Sequence, residues 1–143
     1  MLISQILKHK GDLVFTASPQ ETLAAAAALL HSRGVGAMVI VEDDDKVVGI
    51  LSERDIVRVV AERGAAGLAQ PISSSMSRDV VFATPTETVH ELLERMTDRR
   101  IRHLPVVKDG RLAGIVSIGD LVKSKIAEAE AEAETLKAYI TAG

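Results

Sequence analysis

The feature that most limits what this chain can fold into is an internal repeat. Gly49-Ile50-Leu51-Ser52-Glu53-Arg54-Asp55-Ile56-Val57 recurs as Gly114-Ile115-Val116-Ser117-Ile118-Gly119-Asp120-Leu121-Val122, with five of nine positions identical. Upstream, Ser18-Pro19-Gln20-Glu21-Thr22-Leu23 matches Thr84-Pro85-Thr86-Glu87-Thr88-Val89 at an offset of 66, and the same offset carries Met38-Val39-Ile40-Val41 onto Leu104-Pro105-Val106-Val107. Self-similarity on this scale means one supersecondary unit made twice.

Each copy opens on a short apolar strand, Leu13 to Thr16 or Val80 to Ala83. A helix start follows: Ser18 or Thr84 as N-cap, Pro19 or Pro85 at the first helical position, and Glu21 or Glu87 to complete a capping box. Leu23, Ala26, Ala27 and Leu30 recur at i, i+3, i+4 and i+7, as do Val89, Leu92, Leu93 and Met96, so both segments read as amphipathic helices. Gly34 closes the first. Hairpins come next, Ala37 to Val41 with Lys46 to Leu51, and Leu104 to Val107 with Arg111 to Ser117 across the tight-turn pair Asp109-Gly110. Pro105 lacks a ladder donor, which places its strand at an edge at that point. Ser52 and Ser117 then cap a further helix, Glu53 to Arg63 in the first copy and Gly119 onward in the second.

The fold class is therefore α/β (α+β), a tandem of β-α-β-β-α units with a C-terminal helix. By this reading residues 1–64 hold the first unit and an N-terminal segment, 65–77 a Gly/Ala/Ser-rich connection, 78–124 the second unit, and 125–143 a helical extension reaching about Ile140. The chain has 143 residues, enough to bury about two-thirds of its unfolded surface without staples. The absence of cysteine excludes disulfides and thiolate chemistry and suits a reducing, cytoplasmic setting. The longest apolar run, Leu23 to Leu30, is far short of a membrane span, and a net charge of −3 gives no general attraction to nucleic acid or anionic lipid.

Ser52-x-x-Asp55 and Ser117-x-x-Asp120 stand where a strand ends and a helix begins. As caps, they satisfy exposed backbone amides. As a ligand site, the same geometry attracts phosphate to the helix N-terminus and offers a short carboxylate to a ribose diol. Both readings hold together. With the Ser/Thr-Pro-x-x-Thr helix start in each half, the duplicated Gly-hydrophobic-hydrophobic-Ser-x-x-Asp ending resembles the CBS-domain family, named after cystathionine β-synthase, over about residues 12–60 and 78–124.

That resemblance implies two copies packed as a pseudo-two-fold pair with two clefts for adenosine-containing ligands. One cleft would combine Ser52, Arg54 and Asp55 with Thr84, Val89, Ile101, Arg102 and His103. The other would combine Ser18, Leu23, Val35 and Gly36 with Ser117 and Asp120. Asp55 or Asp120 would hold the ribose, Ser52 or Ser117 reach toward phosphate, and Thr84 or Ser18 lie near adenine, while the backbone at Ile101-Arg102 or Val35-Gly36 reads the base edge. The residues themselves rank the clefts: where the first has Arg54, Arg102 and His103, the second has Gly119, Gly36 and Ala37, so only the first offers charge-assisted bonds to phosphate. AMP, ADP or ATP is the expected ligand, with NAD or NADH as further candidates and S-adenosylmethionine ranked lower. The second cleft is expected to be weak, empty or suited to an uncharged adenosine moiety.

Other candidates read as structural. Arg95, Arg99 and Arg100, beside Arg102, are either an anion site or a solvated helix end, and Asp43-Asp44-Asp45 is a solvated turn. His9, His31, His90 and His103 lack ligand spacing, so no metal site is expected, and no nucleophile or phosphate loop accompanies Asp55 or Asp120. The Ala-Glu stretch 127–134 reads as a solvated helix whose apolar end, Leu136 to Ile140, could dock on a partner subunit. The leading expectation is a non-enzymatic regulatory module that binds an adenosine ligand and signals to an effector protein, as a homodimer by resemblance. The alternative is a dimerisation or docking module with vestigial clefts. A nucleotide-processing enzyme ranks third.

Overall fold

The computed structural model describes residues 1–11, 13–43 and 45–142. Contacts divide the chain into two compact units, Leu13–Val81 on one side and Met1–Asp12 together with Phe82–Gly143 on the other. This changes the boundaries read from the sequence. The N-terminal segment belongs with the second repeat, and the 65–77 connection is an integral part of the first repeat's unit.

In the first unit, β1 (Thr16–Ala17) pairs in parallel with β2 (Ala37–Glu42), which pairs antiparallel with β3 (Lys46–Ser52). Helices α2 (Leu23–Arg33) and α3 (Glu53–Arg63) complete it, with Leu23, Leu30, Met38, Ile40, Leu51 and Ile72 in the core. The turn between β2 and β3 includes Asp44, which lies outside the described residues. In the second unit, α4 (Val89–Arg99) leads to the antiparallel pair β4 (His103–Lys108) and β5 (Arg111–Ser117), and α5 (Ile118–Ala142) closes the chain. Both hairpins break register at the matching place, between Ile40 and Val41 and between Val106 and Val107. Asp109 and Gly110 take φ of 52° and 76°, as the hairpin turn requires.

The opening strands differ for a reason visible in one residue. In the first unit Val39 donates to the Phe15 carbonyl at 3.2 Å, extending the parallel pairing over two residues. Its counterpart in the second is Pro105, which has no N–H. The pairing there shrinks to a single bridge, Ala83 with Val106, held by Ala83 N to Pro105 O and Val107 N to Ala83 O, both 2.9 Å.

The helix starts also fall later than the capping-box pattern places them. Ser18-Pro19-Gln20-Glu21 is a turn: Glu21 N donates to Ser18 O and the Glu21 carboxylate accepts from Ser18 N at 2.9 Å. Thr22 is the true N-cap of α2, its hydroxyl accepting from Ala25 N at 3.1 Å. Thr84 to Glu87 repeats the turn, and Thr88 caps α4. A non-local partner decides between the two local caps: Leu23 N donates to Gln70 O and Val89 N to Met1 O, both at 3.0 Å.

Those two bonds belong to a matched set. Ile72 N reaches Glu21 O at 2.8 Å and Ser73 N reaches Pro19 O at 3.0 Å, while Ile3 N reaches Glu87 O and Ser4 N reaches Pro85 O, both at 2.9 Å. Met1-Leu2-Ile3-Ser4 thus plays in the second unit the part that Gln70-Pro71-Ile72-Ser73 plays in the first. Each leader segment docks on the repeat it does not immediately precede. Ile3 and Ile72, each 0% exposed, anchor them, and burying each stabilises its unit by about 1.5–3 kcal/mol. Gly49 and Gly114 make room for the same purpose. A Cβ on Gly49 would meet Met76 Sδ at 2.6 Å and Ser77 O at 3.0 Å, and one on Gly114 would meet Leu7 Cδ2 at 2.6 Å.

Candidate functional site

Each Ser-x-x-Asp motif folds as a reciprocal cap at a strand-to-helix junction. In the first unit Ser52 N donates to Asp55 Oδ2 at 2.9 Å and the Ser52 hydroxyl sits 3.2 Å from the same oxygen. In the second, Ser117 N donates to Asp120 Oδ2 at 2.8 Å and Asp120 N to the Ser117 hydroxyl at 3.1 Å. The junctions are closed by equivalent backbone bonds, Glu53 N to Gly36 O at 2.9 Å and Ile118 N to Arg102 O at 2.8 Å. The structural and ligand-site readings of the motif therefore share one geometry: the carboxylate is fixed at the helix N-terminus, where the helix dipole favours negative charge.

The cations that meet the two carboxylates are not alike. Asp55 Oδ1 accepts from Arg58, one turn along the same helix, at 2.9 Å; the arginine side chain is 52% exposed. An exposed pair of this kind is worth about 0–1 kcal/mol, so Arg58 can swing away at little cost. Asp120 instead meets Lys10, the last residue of α1 (Ile3–Lys10), at 2.6 Å. The same ammonium donates to the Ile115 carbonyl at 2.9 Å, and its side chain is 32% exposed. Burial pushes the Asp120 pKa up, but the Lys10 and Ser117 hydrogen bonds outweigh it and hold the carboxyl below its ordinary range. Lys10 carried no signal in the repeat pattern, because it lies in a leader matched to its counterpart only through short fragments such as Ile3-Ser4 and Ile72-Ser73.

The remaining residues singled out from the sequence are placed as follows, each within its own unit. Arg54 is exposed beside Ser52 and Asp55. In the second unit Thr84 and Arg102 are exposed, and Ile101 and His103 are half-buried where α4 gives way to β4. In the first unit Ser18, Val35 and Gly36 are half-buried. Val35 and Gly36, with Leu30, Glu53, Ile56 and Val57, help line an open concavity of about 520 Å³ between α2 and α3. Leu23 and Val89 are 0% and 1% exposed, so their side chains belong to the cores and leave only backbone for a ligand to meet. Part of the backbone expected to read the base is engaged within its own unit: Val35 N binds Leu30 O and Ile101 N binds Met96 O, each at 3.1 Å.

Of the arginine cluster, Arg95 is structural. It forks onto both Glu87 carboxylate oxygens and donates to Phe82 O at 3.0 Å, and the arginine bond holds the Glu87 carboxyl below its usual range. Arg100 ends α4 in the left-handed region at φ 55°, where the first unit has Gly34 at φ 63°.

Among the described residues no helix is long and apolar enough to cross a membrane. The structure is similar to that of a CBS-domain containing protein from Agrobacterium tumefaciens, with a TM-score of 0.84 and 44% identity over 87% of this chain and 92% of that one. It is also similar to the CBS domain pair of protein MJ0100 in complex with 5′-methylthioadenosine and S-adenosyl-L-methionine, with a TM-score of 0.80 and 27% identity over 90% of this chain and 98% of that one. In sequence, the mitochondrial CBS domain-containing protein CBSX3 of Arabidopsis thaliana is 32% identical over 99% of this chain and 72% of its own length. The CBS domain matches residues 11–62 and again residues 72–126, one match on each repeat. The chain belongs to the CBS-domain family as a tandem pair of CBS domains.

Proposed function

We propose that this chain is a regulatory module that binds a phosphorylated adenosine, AMP, ADP or ATP, at the Asp55 half-site and passes its occupancy to an effector protein. The observation that carries this reading is the Asp55 carboxylate itself. It is fixed by Ser52 at a helix N-terminus, paired with an exposed Arg58, and flanked by exposed Arg54. A ribose diol would take the carboxylate's remaining lone pairs, and a phosphate would meet the Arg54 guanidinium.

The MJ0100 pair, whose complex holds two adenosine compounds without phosphate, supports an adenosine ligand in general. The arginines favour a phosphate-bearing one here. At the Asp120 half-site the Lys10 ammonium sits on Oδ2 beside Ser117 N, and on this reading it competes with a ribose diol for the carboxylate. The reading assigns the chain binding without turnover, work inside the cytoplasm, and a homodimeric state.

Calorimetric titration of nucleotide-stripped protein with AMP, ADP, ATP, NAD, NADH and S-adenosylmethionine tests the reading. It requires binding of a phosphorylated adenosine that weakens roughly 30-fold or more in Asp55→Ala. No binding across the panel would move the function to a docking module with vestigial clefts.

A further inference from the structure

Helix α5 runs 25 residues, Ile118–Ala142, and uses two different faces. Leu121 and Ser124 are buried against the second unit. Val122, Ile126, Ala129, Ala133, Leu136 and Ile140 follow one another at alternating steps of four and three residues, the spacing of a coiled-coil seam. At about 100° per residue the seam is centred about 130° away from the packed face. It is open: Val122, Ile126, Leu136 and Ile140 are 44%, 54%, 60% and 69% exposed.

The charges beside the seam select its occupant. With Ile126, Ala133 and Ile140 at a and Val122, Ala129 and Leu136 at d, the g positions are Lys125, Glu132 and the uncharged Tyr139, and the e positions are Lys123, Glu130 and Lys137. In a parallel, in-register pair each g faces the next e of the other helix. Lys125 then meets Glu130 and Glu132 meets Lys137, on both sides of the seam, with no like-charged pair. Paired antiparallel with Ile126 opposite Leu136, Lys125 meets Glu132 and Glu130 meets Lys137 as well; the parallel register differs in setting each alanine and each large residue of the seam opposite its own copy.

We propose that α5 pairs with α5 of a second copy as a parallel, in-register two-stranded coiled coil through the Val122 to Ile140 seam. The proposal rests on the homodimer reading and names a face for it; it is independent of the ligand.

The chain has no cysteine, so a single introduced thiol can pair only with itself on the second copy. Leu136→Cys, at d, should double in mass on a non-reducing gel after mild oxidation, and Ala138→Cys, at the outward f position, should not. Glu132→Lys in the Leu136→Cys background should suppress the doubling, and adding Lys137→Glu should restore it. Native mass is read in parallel on the wild-type chain. A dimer without the Leu136→Cys bond would keep the homodimer and overturn the coiled coil, and a monomer would overturn both. Equal bonding by Ala138→Cys would also overturn the coiled coil, because it would show collision without register.

Discussion

The two repeats carry the same motif at the same junction and differ in what meets its carboxylate. Asp55 faces an arginine of its own helix that water already half surrounds. Asp120 faces Lys10, delivered by a segment more than a hundred residues away in sequence and held by a second oxygen. Duplication preserved the cap and changed the access. Local caps are set by residues three apart, whereas access is set by whichever leader segment docks alongside.

The largest expected effect separates the two carboxylates. Asp55→Ala should cost about 2–3 kcal/mol of ligand affinity, roughly 30- to 150-fold, by removing charge-assisted bonds to the ribose. Asp120→Ala should leave the affinity of that site unchanged. Equal losses in the two variants, read by titration calorimetry, would make the repeats equivalent and erase the distinction.

The glycines that admit the leaders sharpen the comparison. Gly49→Ala meets the Ser77 carbonyl as well as Met76, and backbone cannot step aside, so unfolding should show a loss of about 1–3 kcal/mol. Gly114→Ala meets the Leu7 side chain first, which can turn away, and should cost less.

The Lys10 contact also has a pH signature. The Asp120 pKa is lower folded than its ordinary 3.8, so the contact's stabilisation is present above that value and lost as the pH falls through the folded one. Lys10→Ala should remove about 1 kcal/mol at neutral pH and flatten the acid limb of Tm against pH. The Glu87–Arg95 pair, common to both proteins, cancels in that difference. Smallest is Arg100→Gly, which relieves a left-handed non-glycine at the place where the first repeat uses Gly34. It should stabilise the chain by about 0.5–1 kcal/mol in a denaturant titration.

Legibility followed the range of the interactions. The hairpins, the Ser52 and Ser117 caps and the Gly34 stop were readable because residues within four positions of one another decide them. Pro105 predicts an edge, and it shortens a parallel pairing by one residue. The starts of α2 and α4 were misplaced because Ser18 and Thr22 are both competent caps locally, and the Gln70 and Met1 carbonyls choose between them. Helix α1 and its Lys10 were missed for the same reason. A leader of ten residues has no pattern that says on which repeat it docks.

Counting sites tests the central claim most directly. Titration of wild-type and Lys10→Ala proteins with the tightest-binding adenine nucleotide should give one site per chain in the wild type. The variant should give a second, weaker site, with the first unchanged. Two equal sites in the wild type, or a Lys10→Ala protein that still binds one, would contradict the claim that Lys10 keeps the Asp120 half-site from binding.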